Sequence, residues 1–221
     1  MADYVTSFLP LCATQWGLNS SRVHHLLEFI DGSCRREPDF EHHNPSITGL
    51  CRPGFSKRLK FGNRIIYWTN DRGVGGSYLV AILKVIATRI SHEAAAAWYL
   101  ENGHEQIPQN LFTAGNTPFP LNHSHRIINF KRLPSDEATV RKWNAQYRLR
   151  VNSHPDVAIC EFTFGPNLGW PTGNTPLLVS REDKEYIFRR IPNTRNAPKL
   201  LPNEWERFMK RMPFFSPFTR E

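Results

Sequence analysis

The sequence has few cysteines and no long apolar run. Its four cysteines, Cys12, Cys34, Cys51 and Cys160, lie far apart in a chain of 221 residues and form no Cys-x-x-Cys pair. This spacing predicts neither a zinc ribbon nor a disulfide framework, so we expect reduced and mostly buried thiols. No stretch approaches the roughly 18 consecutive apolar residues of a membrane helix, and the amino-terminal residues lack the basic start and apolar core of a signal peptide. We therefore expect a soluble, cytoplasmic protein.

Acidic residues are scarce relative to basic ones. The chain has 28 Lys and Arg against 20 Asp and Glu, a formal net charge of +8. Such an excess attracts the phosphate backbones of nucleic acids when the charges gather on one face. Basic proteins with no nucleic-acid role are common, so the charge alone only favours DNA or RNA as partner, and no membrane partner is expected. The composition leaves the oligomeric state open.

The glycine-rich stretch at residues 71–76 lacks the features of a nucleotide-binding loop. A phosphate loop ends in Gly-Lys-Ser/Thr and opens a helix, whereas the chain continues after Gly76 with Tyr78, Val80 and Ile82, which favour a strand. Residues that tolerate positive φ instead predict a reversal of the chain. We expect a hairpin in which a buried strand at 64–69 pairs with a returning strand at 77–88.

No linker or low-complexity run divides the chain, so a single domain is expected. Seventeen prolines argue against an all-helical bundle, because each interior proline costs a helix roughly 3 kcal/mol. The patterns predict an α+β fold. Further strands are expected at residues 126–130, 157–164, 175–180 and 186–190, and helices capped by Asn19 or Ser20, by Ser91, by Ser135 and by Asn203.

The histidines and acids show no spacing typical of a metal site. His123 and His125 could share one face of a strand, yet no third ligand lies near them in the sequence. The polar loop at residues 31–45 holds acids and histidines in no known ligand pattern. We therefore predict neither a metal nor another cofactor.

The segment 46–68 resembles the nucleotide-modification-associated domain families, whose members are often encoded beside enzymes that make modified DNA bases. A strand that ends in Cys-basic-Pro leads through a basic turn into Gly-Asn and a second strand. More distantly, Lys60-x-Gly62-Asn63 and the hairpin after it resemble the PUA-like barrels of the EVE, ASCH and YTH groups. The first resemblance is carried by Leu50, Cys51, Arg52, Pro53, Arg58, Gly62 and Asn63, and further along by residues 177–180, Tyr186, Phe188, Leu201 and Pro202.

These resemblances imply a strongly curved, mostly antiparallel sheet or pseudobarrel with about four flanking helices. They imply one PUA-like domain over residues 1–221 with insertions, a core at about 44–190, and a carboxy-terminal helix and tail at 191–221. They also imply a function, the recognition of a modified or flipped base of DNA or RNA in an aromatic pocket.

A base pocket needs flat apolar walls, polar groups for the base edge and cations for the phosphates. Trp98, Trp143 and Trp205 lie mid-helix and are expected in the core. Tyr67 and Trp68 are neighbours on one strand and must face opposite sides, so only one of them can line a pocket. The candidate base-binding residues are Trp16, Asn44, Tyr67, Trp68, Asn70, Asp71 and Trp170, with core packing or turn capping as the alternative role of each.

Cations cluster around the turn before the predicted hairpin. These side chains are candidates for phosphate contacts, and plain solvation is their alternative role. The candidate phosphate-binding residues are Arg52, Lys57, Arg58, Lys60 and Arg72.

Two other classes of function stay open. An enzyme that hydrolyses or processes a modified nucleoside, as in the ASCH group, could use Asp39, His43 or Glu161, but no catalytic motif singles these residues out, so no catalytic residue is predicted. A protein interaction module without nucleic acid would scatter its basic residues over the surface.

Overall fold

The computed structural model describes a little over half of the chain, in segments on both sides of the predicted hairpin. Strands are β1 (Tyr4–Ser7), β2 (Ser46–Thr48), β3 (Arg64–Trp68), β4 (Gly76–Ile90), β5 (Ile127–Ile128), β6 (Lys131–Arg132), β7 (Val157–Phe164) and β8 (Leu177–Ser180), and helices are α1 (His92–Glu101), α2 (Arg181–Phe188) and α3 (Pro202–Arg211). The described residues are 2–7, 45–48, 55–68, 76–108, 111, 113–114, 127–128, 131–132, 141, 145, 148–149, 151–152, 155–165, 177–190 and 197–212.

The long strand β4 organises a mixed sheet of six strands in an α+β fold. The strand order is β1-β3-β4-β7-β2, and β8 pairs with the first residues of β4. β3 and β4 are antiparallel, with Arg64 opposite Lys84 and Ile66 opposite Ile82, which confirms the predicted hairpin pairing. β1 runs parallel to β3, and the other pairings in this sheet are antiparallel. Within the described residues the sheet does not close on itself. A separate short hairpin joins β5 to β6.

The three helices α1, α2 and α3 pack on one face of the sheet, which we call the helix face. Near β1 and β3, Ile66 and Trp68 contact α2 and α3 through Phe188 and Phe208. Near β2 and β7, residues such as Ile159 contact α1 through Tyr99. The opposite face carries another buried cluster, which includes Tyr4, Phe55, Leu59, Ile65, Tyr67, Ala81, Leu83, Ala158, Cys160 and Phe162.

The first helix follows its sequence signals. Ser91 accepts a hydrogen bond from the amide of Ala94, Glu93 lies in the first turn, and Gly103 follows the last turn with φ 78°. An acid in the first turn complements the helix dipole, and a glycine tolerates the left-handed conformation that ends a helix. The prediction of a helix capped by Ser91 is confirmed.

Two predictions near the carboxy-terminal end are wrong. Residues 186–190 do not form a strand, because Tyr186 and Phe188 belong to α2, whose start is fixed by a capping box between Ser180 and Asp183. The last helix begins earlier than predicted, with Leu201 as N-cap and Pro202 in its first turn. Proline suits that position, since the amide it lacks has no helical partner there.

β7 also differs from its prediction of one dry face. Val157, Ala158, Ile159 and Cys160 are all buried, and burial alternates only further along the strand. The reason is that α1 covers the helix face of this part of β7 while the opposite cluster covers the other side.

The predicted helix capped by Asn19 or Ser20 lies outside the described residues. Of the helix predicted after Ser135, six positions between 141 and 152 are described and are helical. Among the helices that the structure describes, none has both the length and the apolar character to cross a lipid bilayer.

Candidate nucleic-acid interface

The segment between β2 and β3 holds three of the predicted phosphate-binding residues. We call residues 55–63 the basic turn. It contains Lys57, Arg58 and Lys60 and no acidic residue, and all three cations are exposed. It begins with a short 3-10 helix, Ser56–Arg58. Phe55 and Leu59 are almost fully buried, so two apolar anchors hold the segment while its cations point to solvent.

The second half of the basic turn is a tight reversal hydrogen-bonded to β4. The amide of Asn63 donates to the carbonyl of Lys60 at 3.0 Å, and Gly62 has φ 79°, as expected for the third residue of a type II turn. The amide of Gly62 donates to the carbonyl of Val85 at 2.8 Å, and Val85 donates back to Asn63 at 2.9 Å. Phe61 lies at the tip of this turn, and 72% of its surface is exposed.

Arg58 has a fixed position on the surface. Its guanidinium lies over the rings of Tyr4 and Phe55, 5.6 and 5.4 Å from their centroids, and Nη2 donates to the carbonyl of Ala197 at 3.3 Å. The Tyr4 hydroxyl in turn donates to the Arg58 carbonyl at 3.2 Å. Contacts of this kind hold a cation in place before a ligand arrives.

A fourth cation reaches the basic turn from β4. Arg89 donates from Nη2 to the carbonyl of Lys57 at 3.2 Å, and its φ is 57° at an irregularity where the pairing of β4 with β7 shifts. We call Lys57, Arg58, Lys60 and Arg89 the basic patch. Sequence reasoning missed Arg89, because the bulge that turns it toward Lys57 has no glycine or other local signal.

Neighbouring cations on the same part of the sheet are neutralised. Arg64 forms a two-pronged ion pair with Asp3, with a shortest distance of 2.7 Å, and its guanidinium lies 3.6 Å from the centre of the Trp205 ring. Lys84 pairs with Glu161 at 3.2 Å. Within the part of the chain that the structure describes, Lys57, Lys60 and Arg89 have no ion pair with an acid. No described acid therefore neutralises these three cations of the basic patch.

Tyr67 and Trp68 face opposite sides of the sheet, as predicted. Tyr67 is 3% exposed on the face opposite the helices, and its hydroxyl lies 2.7 Å from the hydroxyl of Thr48. Trp68 is equally buried on the helix face, edge-to-face with Phe188 at 5.1 Å. Trp68 thus packs in the core between the sheet and α2.

The structure brings Lys57, Arg58 and Lys60 together. Other candidates lie outside the described residues, namely Trp16, Asn44, Arg52, Asn70, Asp71, Arg72 and Trp170, and also Asp39 and His43 of the enzyme alternative. Glu161, the remaining candidate of that alternative, is partly exposed and bound to Lys84. Among the described histidines, cysteines and acids, no group of three could hold a metal ion.

Together these features define an α+β protein with an exposed basic patch on a rigid turn. Comparisons with models of protein families, with curated proteins and with solved structures give no match to this chain. The resemblance to nucleotide-modification-associated and PUA-like domains therefore stays a prediction that depends on the quoted residues.

Proposed function

We propose that this protein binds nucleic acid and that the basic patch contacts the phosphates. The observation that supports this most directly is the patch itself, four exposed cations at one place with no described acid paired to Lys57, Lys60 or Arg89. Each phosphate contact releases condensed counterions, which favours binding at low salt. A protein interaction module would have its basic residues scattered, and this clustering favours nucleic acid instead.

The proposal includes a strongly curved sheet of the pseudobarrel kind. The hydroxyls of Thr48 and Tyr67 are 2.7 Å apart, although β4 and β7 separate β2 from β3 in the sheet. Three strand spacings of about 4.8 Å exceed the reach of these two side chains across a flat sheet. Four register shifts along β4 also favour bending, because a bulge bends its strand.

The proposal also includes a recess for a modified or flipped base on the face opposite the helices. Several side chains beside Tyr67 on this face are small or carry a hydroxyl that suits the edge of a base. Large apolar side chains are buried in the same cluster, so a base enters only if these side chains move; they include Phe55, Leu59, Leu83 and Phe162. Thr6, beside Tyr67 on β1, is fully buried, and its hydroxyl has no hydrogen-bond partner among the described residues. The other small residues are Ser46, Thr48, Ala81, Ala158 and Cys160.

The test is to reverse two charges of the patch and measure the affinity for a labelled oligonucleotide by fluorescence anisotropy. At about 0.1 M salt each lost phosphate contact costs about fivefold in single-strand affinity, so Lys57→Glu with Lys60→Glu should weaken binding by roughly 25-fold or more. Lys210→Glu is the control, since Lys210 is exposed on α3. A wild type that binds no oligonucleotide, or a double variant that binds equally well, would contradict the proposal. Equal affinity for oligonucleotides with and without modified bases would contradict the base recess and leave phosphate binding by the basic patch standing.

A further inference from the structure

Phe61 is an exposed aromatic residue in the second half of the basic turn. Its exposure bears on which form of nucleic acid binds. Phe61 follows Lys60 at the tip of the type II turn, and 72% of its surface is exposed. It is the most exposed of the large apolar side chains in the described part of the chain. A ring so exposed adds little to the core, and it directly follows Lys60 of the basic patch in the chain.

We infer that Phe61 stacks on an unpaired base, and that the partner of this surface is therefore single-stranded nucleic acid, as a free strand or a loop. This inference rests on the proposed function. A base in a regular duplex has both faces covered by neighbouring pairs, whereas an unpaired base offers a face to an aromatic side chain. Cations that hold the backbone beside a ring that stacks on the base are the combination used for single strands.

The turn presents the ring in a fixed position. Gly62 and Asn63 are hydrogen-bonded to Val85 of β4 on one side, and on the other the hydroxyl of Thr88 donates to the carbonyl of Leu59 at 3.2 Å. Leu59 is itself fully buried. Since the backbone on both sides of Phe61 is already ordered, binding requires little further ordering of this segment.

The charges beside the ring favour a nucleic acid over an apolar protein partner. An apolar protein surface would have to cover Lys57 and Lys60 and so remove two ammonium groups from water without compensation. A phosphate backbone satisfies these groups while a base covers the ring. An anionic lipid surface could also accept a ring among cations, so the experiment includes vesicles as a separate arm.

The experiment compares Phe61→Leu with Phe61→Trp in the full chain. Leucine keeps apolar area without a flat ring, and tryptophan keeps the ring. Because the side chain is exposed, neither substitution disturbs the core. Affinity is measured for single-stranded DNA, for single-stranded RNA and for a duplex of the same sequence, and binding to vesicles of phosphatidylcholine and phosphatidylserine is measured in parallel.

We expect Phe61→Leu to weaken binding to the single strand by roughly 5- to 100-fold and Phe61→Trp to keep it. Duplex binding should be weaker in the wild type and the same in both variants. Equal single-strand affinities of Phe61→Leu and wild type, or a wild type that prefers the duplex, would overturn this inference while leaving the proposed function standing. Binding to vesicles with no binding to any oligonucleotide would overturn both.

Discussion

Single buried polar residues hold the described part of the molecule together at defined points. Glu204 is fully buried on α3, and it accepts two hydrogen bonds from Arg190 and one from the amide of Leu201. The hydrogen bond to Glu204 is the main cause that raises the pKa of Arg190 above its usual value. Glu204 therefore ties the end of α2 to the start of α3, in a site where removing one partner would leave a buried charge unpaired.

The buried position of His92 makes the free energy of unfolding depend on pH. It is almost fully buried at the start of α1, and burial lowers its pKa from 6.5 to about 4, against the smaller opposite effect of Glu93. Between these values the unfolded chain binds more protons than the folded one, so the contribution of His92 is complete above about pH 6.5 and is lost as the pH falls toward 4.

We therefore expect the wild type to lose about 2 kcal/mol more unfolding free energy than His92→Gln between pH 7 and pH 4.5. Urea unfolding of the two proteins at both pH values measures this difference. An identical loss in wild type and variant would show that His92 titrates normally in the folded protein.

At the scale of elements, close approach of two backbones fixes β8 against β4. Gly76 pairs with Ser180, and a Cβ atom added at Gly76 would collide with the carbonyl oxygen of Val179 and lie 3.0 Å from Cα of Ser180. Neither backbone can yield easily, since Ser180 also caps α2 through Asp183. The glycine that ends the predicted turn thus has a second role, as the contact between two strands.

Gly76→Ala should accordingly destabilise the protein by about 1–3 kcal/mol through overpacking. Gly165→Ala is the matched control, because the three atoms nearest to its Cβ would all belong to the ring of Phe162, the first at 3.2 Å, and a ring can shift. Chemical denaturation of both variants tests this prediction. A loss at Gly76 no larger than that at Gly165 would show that β8 can move away from β4.

Sequence signals predicted those elements whose determinants are local. Residues 64–69 and 77–88 could be assigned to a hairpin from strand composition and turn residues, and α1 from its cap at Ser91. α2 was missed although its capping box, Ser180 and Asp183, is visible in the sequence, because the apolar residues after it suggested a strand. A capping pattern deserved more weight there than alternation over five residues.

At the scale of the whole molecule, the long-range contacts could not be predicted from the sequence. Nothing local to residues 4–7 indicates that they pair with a strand about sixty positions later, in parallel. In the candidate site, too, local features could be predicted from the sequence and features that depend on long-range contacts could not. Its lysines were predictable from charge clustering at residues 57–60, whereas the contribution of Arg89 depends on a bulge in β4, and the exposure of Phe61 depends on how the type II turn lies against Val85.

The dependence of affinity on salt tests most directly whether the basic patch binds a phosphate backbone, as we propose. Four contacts to a single strand predict a slope of about −3 for log Kobs against log salt concentration. In the double variant Lys57→Glu and Lys60→Glu the slope should be shallower by about 1.4, since two contacts are lost. A wild-type affinity that does not change with salt, or the same slope in both proteins, would contradict phosphate binding by the basic patch.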